Sequence, residues 1–282
     1  MDRTRSWRLA GSKEVPNVRG VFPVGDLWQG WFGAWSRWRV AQWVEPLLTL
    51  FYPDVCQVCL QERATAAEGY VGGNCRKEIH YIVPPNCERC GLPFEGAIMD
   101  SFECGNCQEM TLHFSRARAV VAAEGMVLDI IHRWKYSRAL WFEPFLTGLL
   151  LREAVPALRT EQWDLIVAMP LHRDKETERE FNQAQHLAQA LSAATGLRVG
   201  EDLVRRTVAT QTQTHLSRRQ RMDNMQGAFE RGSHAKFARG RRIILVDDVL
   251  TTGSTASACA LILKKAGASD VCVWTVARGL LH

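Results

Sequence analysis

At 282 residues the chain has room for one sizeable core and a smaller module, at roughly 100–200 residues per domain. Its 35 Lys and Arg against 30 Asp and Glu leave a formal charge of +5, enough to favour phosphates but too little to imply a nucleic-acid partner by itself. Nine cysteines would suit a disulfide framework in a secreted protein. The opening MDRTRSWRLAGSKEVPNVRG, however, lacks the apolar core and cleavage pattern of a signal peptide, so a reducing cytoplasm is expected.

Residues 1–27 are polar, with scattered Pro and Gly and no apolar period, and read as a flexible tail. Over 28–51, Trp28, Trp31, Trp35, Trp38 and Gln42 recur at helical spacing and are followed by Trp43, Leu47 and Phe51. This predicts an aromatic amphipathic helix. Such a stripe either packs on the protein's own body or docks on a partner or a membrane surface. Arg37, Arg39 and Glu45 interrupt it, so no membrane-spanning helix is expected.

The next section, 52–112, is dense in cysteine, proline and glycine. Cys87-x-x-Cys90 and Cys104-x-x-Cys107, separated by a loop with Gly91 and Pro93, have the knuckle spacing that lets four thiolates converge on one tetrahedral Zn²⁺. Upstream, Cys56-x-x-Cys59 and Cys75 supply three ligands of a second site, with Glu78 standing where another cysteine would complete a C-x-x-C. Glu78 or His80 could donate the fourth ligand; the alternative is a trio of reduced structural thiols. Zinc here is expected to be structural, supplying folding energy to a module too small to bury much apolar surface. Cys259 and Cys272 fall in a predicted helix and strand of the core and need no such role.

From 115 to 282 strands alternate with helices. Arg118 to Gly125 reads as a strand, Ile130–Tyr136 and Trp141–Ala154 as helices, Asp164 to Pro170 as a buried strand, and Phe181 to Gly196 as a helix closed by glycine. Val271 to Ala277 closes the series as a strand. This alternation predicts an α/β fold with a parallel sheet. The densest chemistry lies in IILVDDVLTTGST, Ile243 to Thr255. An apolar strand there runs into two carboxylates, Asp247 and Asp248, suited to a ribose diol. Thr251, Thr252, Gly253, Ser254 and Thr255 then open a helix over Ser254 to Ala266, and a hydroxyl- and glycine-rich helix N-terminus suits a phosphate.

These residues resemble the PRPP-binding motif of type I phosphoribosyltransferases: a hydrophobic strand, two acids, two apolar residues and a TTG-S/A-T loop. With the cysteine knuckles upstream, the layout resembles the ComF family of competence-associated phosphoribosyltransferase-like proteins. Met169 to Ala184, Thr212 to Phe229 and IHRWKY (Ile131 to Tyr136) resemble further blocks of that family. The resemblance implies a type I phosphoribosyltransferase-like parallel sheet flanked by helices, with a small N-terminal zinc-ribbon module. It implies that Asp247 and Asp248 hold the ribose hydroxyls of 5-phosphoribosyl-1-pyrophosphate (PRPP), that Thr251 to Thr255 hold its 5′-phosphate, and that Mg²⁺ accompanies the ligand.

Leu171, His172 and Arg173 match the pyrophosphate loop, with Arg173 as its charged contact. Gln213, Arg218, Arg219, Arg221 and Asn224 fall in a loop that closes over the reaction, Arg221 among the catalytic candidates. One departure is Glu180, which stands where the family has glycine and would restrict that turn and repel a polyanion. Two function classes follow: a phosphoribosyltransferase transferring phosphoribose to a nitrogen nucleophile, or a non-catalytic PRPP- or nucleotide-binding adaptor in DNA uptake that holds single-stranded DNA.

Overall fold

A computed structural model describes residues 54–94, 103–208 and 227–280. The tail at 1–27, the Trp-rich segment at 28–51, and Gln213, Arg218, Arg219, Arg221 and Asn224 lie outside the described residues. The strands are β1 (Arg116–Ala122), β2 (Leu165–Ala168), β3 (Arg198–Val199), β4 (Val204–Arg206), β5 (Phe229–Arg231), β6 (Arg242–Leu250) and β7 (Asp270–Arg278). The helices are α1 (Gly73–Arg76), α2 (Gly105–Glu109), α3 (Gly125–Tyr136), α4 (Glu143–Thr160), α5 (Arg173–Arg179), α6 (Gln183–Thr195) and α7 (Ser254–Lys265).

Five strands pair in parallel in the order β1-β7-β6-β2-β3, while β4 and β5 form a separate antiparallel pair. The central strands are apolar on both faces because both are covered. Side chains alternate across a strand, so Ile166, Ile244, Val246, Cys272 and Trp274 pack with α3, α4 and α6. Leu165, Val167, Ile243, Leu245, Val271 and Val273 pack with α7 on the other face.

The cysteine segment is divided between these two cores. Cys56 and Cys75 join the core under α3, α4 and α6, and Cys87, Cys90, Cys104 and Cys107 join the core under α7. The link between them runs along the outer edge of the sheet. Ile82 donates to the Val120 carbonyl (2.9 Å) and Ala122 to the His80 carbonyl (2.8 Å), with Tyr81 bridged to Val121. That pairing covers the backbone groups an edge strand leaves open.

From β2 the chain moves outward to β3, and from β6 it moves the opposite way to β7. The switch point therefore lies between β2 and β6, where an open α/β sheet binds ligands at its carboxyl ends. Here β2 stops at Ala168, opposite Val246, whereas β6 continues beside β7 to Leu250. The four-residue overhang carries both aspartates and leaves them beside a crevice.

Of the stretch matched to the pyrophosphate loop, Leu171 and His172 precede and Arg173 begins the helix α5. His172 caps it by accepting from the Asp174 amide (3.3 Å), Asp174 and Glu176 occupy its first turn, and Arg179 lies in its last. These charges complement the helix dipole. The segment RDKETER has no apolar period, so nothing in its hydrophobic pattern announces a helix.

Candidate functional site

Because the aspartates are adjacent in a strand, their side chains diverge. Asp248 continues the row of Ile244 and Val246 toward α3, and Asp247 continues the row of Ile243 and Leu245 toward α7. On its side Asp248 meets Lys135 of α3, with Nζ 2.5 Å from Oδ2, both side chains being largely buried. On the other side burial pushes the Asp247 carboxyl up to about 7, the Asp248 charge adding to it and Lys135 opposing it. The strand end is tied locally, since Asp247 Oδ1 accepts from the Asp248 amide (2.9 Å) and Asp248 Oδ1 from the Val249 amide (2.7 Å).

The following loop turns on Gly253, whose φ of +88° is a conformation that side chains with a Cβ rarely adopt. Thr252 and Ser254 share a hydroxyl hydrogen bond (2.8 Å) at the start of α7. The loop is held from behind by Arg278 at the end of β7, which is fully buried. Its Nη1 donates to the carbonyls of Leu250 (3.0 Å), Thr251 and Gly279 (2.7 Å). Its Nε donates to the Cys90 carbonyl (3.0 Å), and its Nη2 lies 3.5 Å from Cys90 Sγ. Asn106, between Cys104 and Cys107, donates to the Thr252 carbonyl (3.2 Å). One knuckle thus braces the loop at two points.

A cavity of about 310 Å³ opens over this strand end, and Lys135, Lys175, Arg179 and Arg206 line it together with both aspartates. Four cations against two carboxylates suit a ligand with more than one phosphate. Arg179 is buried, donates to Gln183 Oε1 (3.1 Å) and lies over the Tyr136 ring at 5.0 Å. Burial pulls the Arg206 guanidinium down and the charge of Asp247 opposes this. Burial also pulls Lys175 down, and Arg179 and Arg206 add to it. A larger cavity of about 660 Å³ lies across α7, between Met110, His113 and Phe229, and reaches neither aspartate.

Of the residues singled out from the sequence, Asp247, Asp248, Thr251, Thr255 and Leu171 line the 310 Å³ cavity. Thr252, Gly253 and Ser254 form the buried floor of the adjoining turn. Arg173 is exposed on the first turn of α5, and His172 caps that helix. Inside α5, Lys175 and Arg179 lie four residues apart and share one face, and that face lines the cavity. Their i, i+4 spacing was the available signal; Arg206 had none. Glu180 takes φ +64° at the end of α5, and its carboxylate pairs with Arg138 (2.9 Å) outside the cavity lining.

The thiols of Cys87, Cys90, Cys104 and Cys107 form one cluster, with sulfur–sulfur distances of 3.5 to 3.7 Å. A tetrahedral zinc with Zn–S near 2.3 Å needs about 3.8 Å between sulfurs, so the donor set fits the ion. Cys56, Cys59 and Cys75 form a second cluster, with Cys56 and Cys75 3.7 Å apart. The fourth donor beside them is Glu62, rather than Glu78 or His80. The chain doubles back so that Cys56 N donates to the Glu62 carbonyl (2.8 Å). His80 lies on the edge pairing with β1, its ring against Glu124.

A parallel sheet with an acid pair and a glycine- and hydroxyl-lined turn at its switch point, backed by cysteine knuckles, defines an α/β protein carrying an N-terminal double zinc ribbon. Residues 47–108 match the double zinc ribbon domain family. The chain is 36% identical over 236 residues to DNA utilization protein YhgH of Escherichia coli strain K12, covering 83% of this chain and 94% of that protein. It is 30% identical over 231 residues to competence protein F of Haemophilus influenzae (81% and 98% covered) and 24% identical over 213 residues to competence protein ComFC of Bacillus subtilis (73% and 82% covered). The chain belongs to this ComF family. Among solved structures, glutamine PRPP amidotransferase of B. subtilis aligns at 19% identity with a TM-score of 0.30, over 45% of this chain and 24% of that one. Among the described residues, no helix is long and apolar enough to cross a membrane.

Proposed function

We propose that the chain binds PRPP with Mg²⁺ in the crevice between β2 and β6 and transfers its phosphoribosyl group to a nitrogen nucleophile, releasing pyrophosphate. The observation that carries this reading is the convergence on one cavity of Asp247, Asp248, the turn before α7 and the cations Lys135, Lys175, Arg179 and Arg206. Asp247 and Asp248 accept from the 2′- and 3′-hydroxyls, and the backbone amides from Thr251 to Thr255 donate to the 5′-phosphate. Lys175 and Arg179 face the pyrophosphate, where planar guanidinium donors match phosphate oxygens. As the C1–O bond breaks and the C1–N bond forms, negative charge grows on pyrophosphate, and fixed cations in a half-enclosed cavity stabilise it. Mg²⁺, if it accompanies the ligand beside Asp247 and Asp248, would add to the neutralisation of the leaving group. The reaction takes place in the cytoplasm, where thiolate clusters stay reduced.

Calorimetry with PRPP and Mg²⁺, paired with pyrophosphate release over a panel of bases, tests this. Wild-type protein should bind and turn over, and the Asp247→Asn/Asp248→Asn double variant should fold and lose binding. Unchanged affinity in that variant removes the ribose assignment.

The relatives' names, DNA utilization protein and competence protein, favour a second reading in which the same site senses PRPP or a nucleotide for an adaptor that holds single-stranded DNA. PRPP binding without pyrophosphate release from any base, together with single-strand binding that weakens by roughly 0.7 log units per log unit of salt for each phosphate contact, would select it.

A further inference from the structure

The cysteine trio upstream has a carboxylate built into it. Glu62 Oε1 lies 3.8 Å from Cys59 Sγ and accepts from the Cys75 amide (3.1 Å), while Oε2 accepts from the Asn74 amide (2.9 Å). A tetrahedral zinc with bonds of about 2.3 Å to sulfur and 2.0 Å to oxygen spaces two such donors about 3.5 Å apart. The turn is shaped around this side chain, because a Cβ on Gly72 would stand 2.2 Å from Glu62 Cδ. The same glycine's amide points at Cys56 Sγ (3.3 Å), as the amides around a zinc knuckle do.

Resting on the double-zinc-ribbon reading, we propose that Cys56, Cys59, Glu62 and Cys75 hold a second zinc ion through three thiolates and one carboxylate, with Glu62 replacing the fourth cysteine. Charge supports the exchange: three thiolates and one carboxylate carry the same four negative charges as four thiolates. Ligand chemistry makes the two sites unequal. The downstream cluster has four buried thiols, whereas the upstream one has a harder oxygen donor and a half-buried Cys59, so the upstream ion leaves first. Its loss reaches the ligand site, because Arg133 of α3 donates to the Gln57 carbonyl between Cys56 and Cys59 (2.7 Å), two residues before Lys135.

Metal content and cobalt spectra of the full chain test the assignment without recourse to activity. As isolated, the protein should hold two zinc ions per chain. Glu62→Ala should fall to one after dialysis against a mild chelator, whereas Glu78→Gln and His80→Ala should keep two. In the Co²⁺-substituted protein, Glu62→Gln, which keeps the side chain's length but removes its charge, should lose the upstream ion's share of the sulfur-to-cobalt charge-transfer band, roughly three parts in seven, as seven thiolate ligands become four. This variant decides the matter even if Glu62→Ala fails to fold. An unchanged band in Glu62→Gln, two ions retained in Glu62→Ala, or one ion in the wild type would each overturn the proposal. A wild type free of metal would instead overturn the zinc-ribbon reading as a whole.

Discussion

Arg278 and Cys90 lie 188 residues apart in sequence, yet the guanidinium of one sits 3.5 Å from the thiol of the other while also holding the carbonyls of Leu250 and Thr251. One buried cation thus serves both a cysteine cluster and the turn proposed to bind phosphate. Arg278→Met should leave those acceptors unpaired and the thiolates uncompensated, costing about 3–5 kcal/mol. Denaturant titration reads the loss, and chelator-driven release of zinc should be faster. Chelation of the wild-type protein should in turn weaken PRPP affinity, measurable by calorimetry before and after metal removal.

The raised Asp247 carboxyl makes a prediction about stability and pH. Its pKa goes from the ordinary 3.8 to about 7 in the fold, so the native state binds the proton more tightly than the unfolded chain. Stability from this group is full below about pH 4 and is lost as pH rises toward 7. Asp247→Asn should therefore raise the Tm of the ligand-free protein at pH 8, by an amount corresponding to roughly 1–3 kcal/mol, and give no gain at pH 4. A gain that is flat across this range would show that burial of Asp247 carries no such penalty.

Lys135 and Asp248 form a largely buried pair, and breaking one side leaves a charge without its partner. Lys135→Met should destabilise by about 3 kcal/mol. Adding Asp248→Asn should restore most of that, so a double-mutant cycle reads out the coupling. Additive losses would mean that the two side chains are not coupled in solution.

Glu180 and Arg138 both adopt left-handed backbone, with φ of +64° and +53°, and face each other as an ion pair. The exposed pair contributes little, whereas the left-handed conformation costs a residue with a Cβ about 1–2 kcal/mol. Glu180→Gly should stabilise the fold by about 0.5–1 kcal/mol after the entropy of glycine is counted. A lower midpoint in urea would show that the ion pair outweighs the strain.

What could be read from the sequence was local. The run from Ile243 to Thr255, the knuckle at Cys87 and Cys90, and the glycine stop at Gly196 are each written in contiguous residues, because strand burial, ligand spacing and helix capping act over one to a few turns of chain. The tertiary structure decided what those pieces meet. Asp247 and Asp248 look like one acidic feature in sequence, but the strand's alternation sends one toward α7 and the other to Lys135 on α3. Lys175 and Arg179 line the cavity only because a polar segment without hydrophobic period winds into α5. Glu62 enters a cysteine cluster, and Arg278 reaches Cys90, through chain reversals and sheet pairing that no spacing encodes. Likewise the cysteine segment reads as one module, yet its two clusters pack on opposite faces of the sheet, because each small knuckle buries its apolar side against whichever core its connection along the edge of β1 can reach.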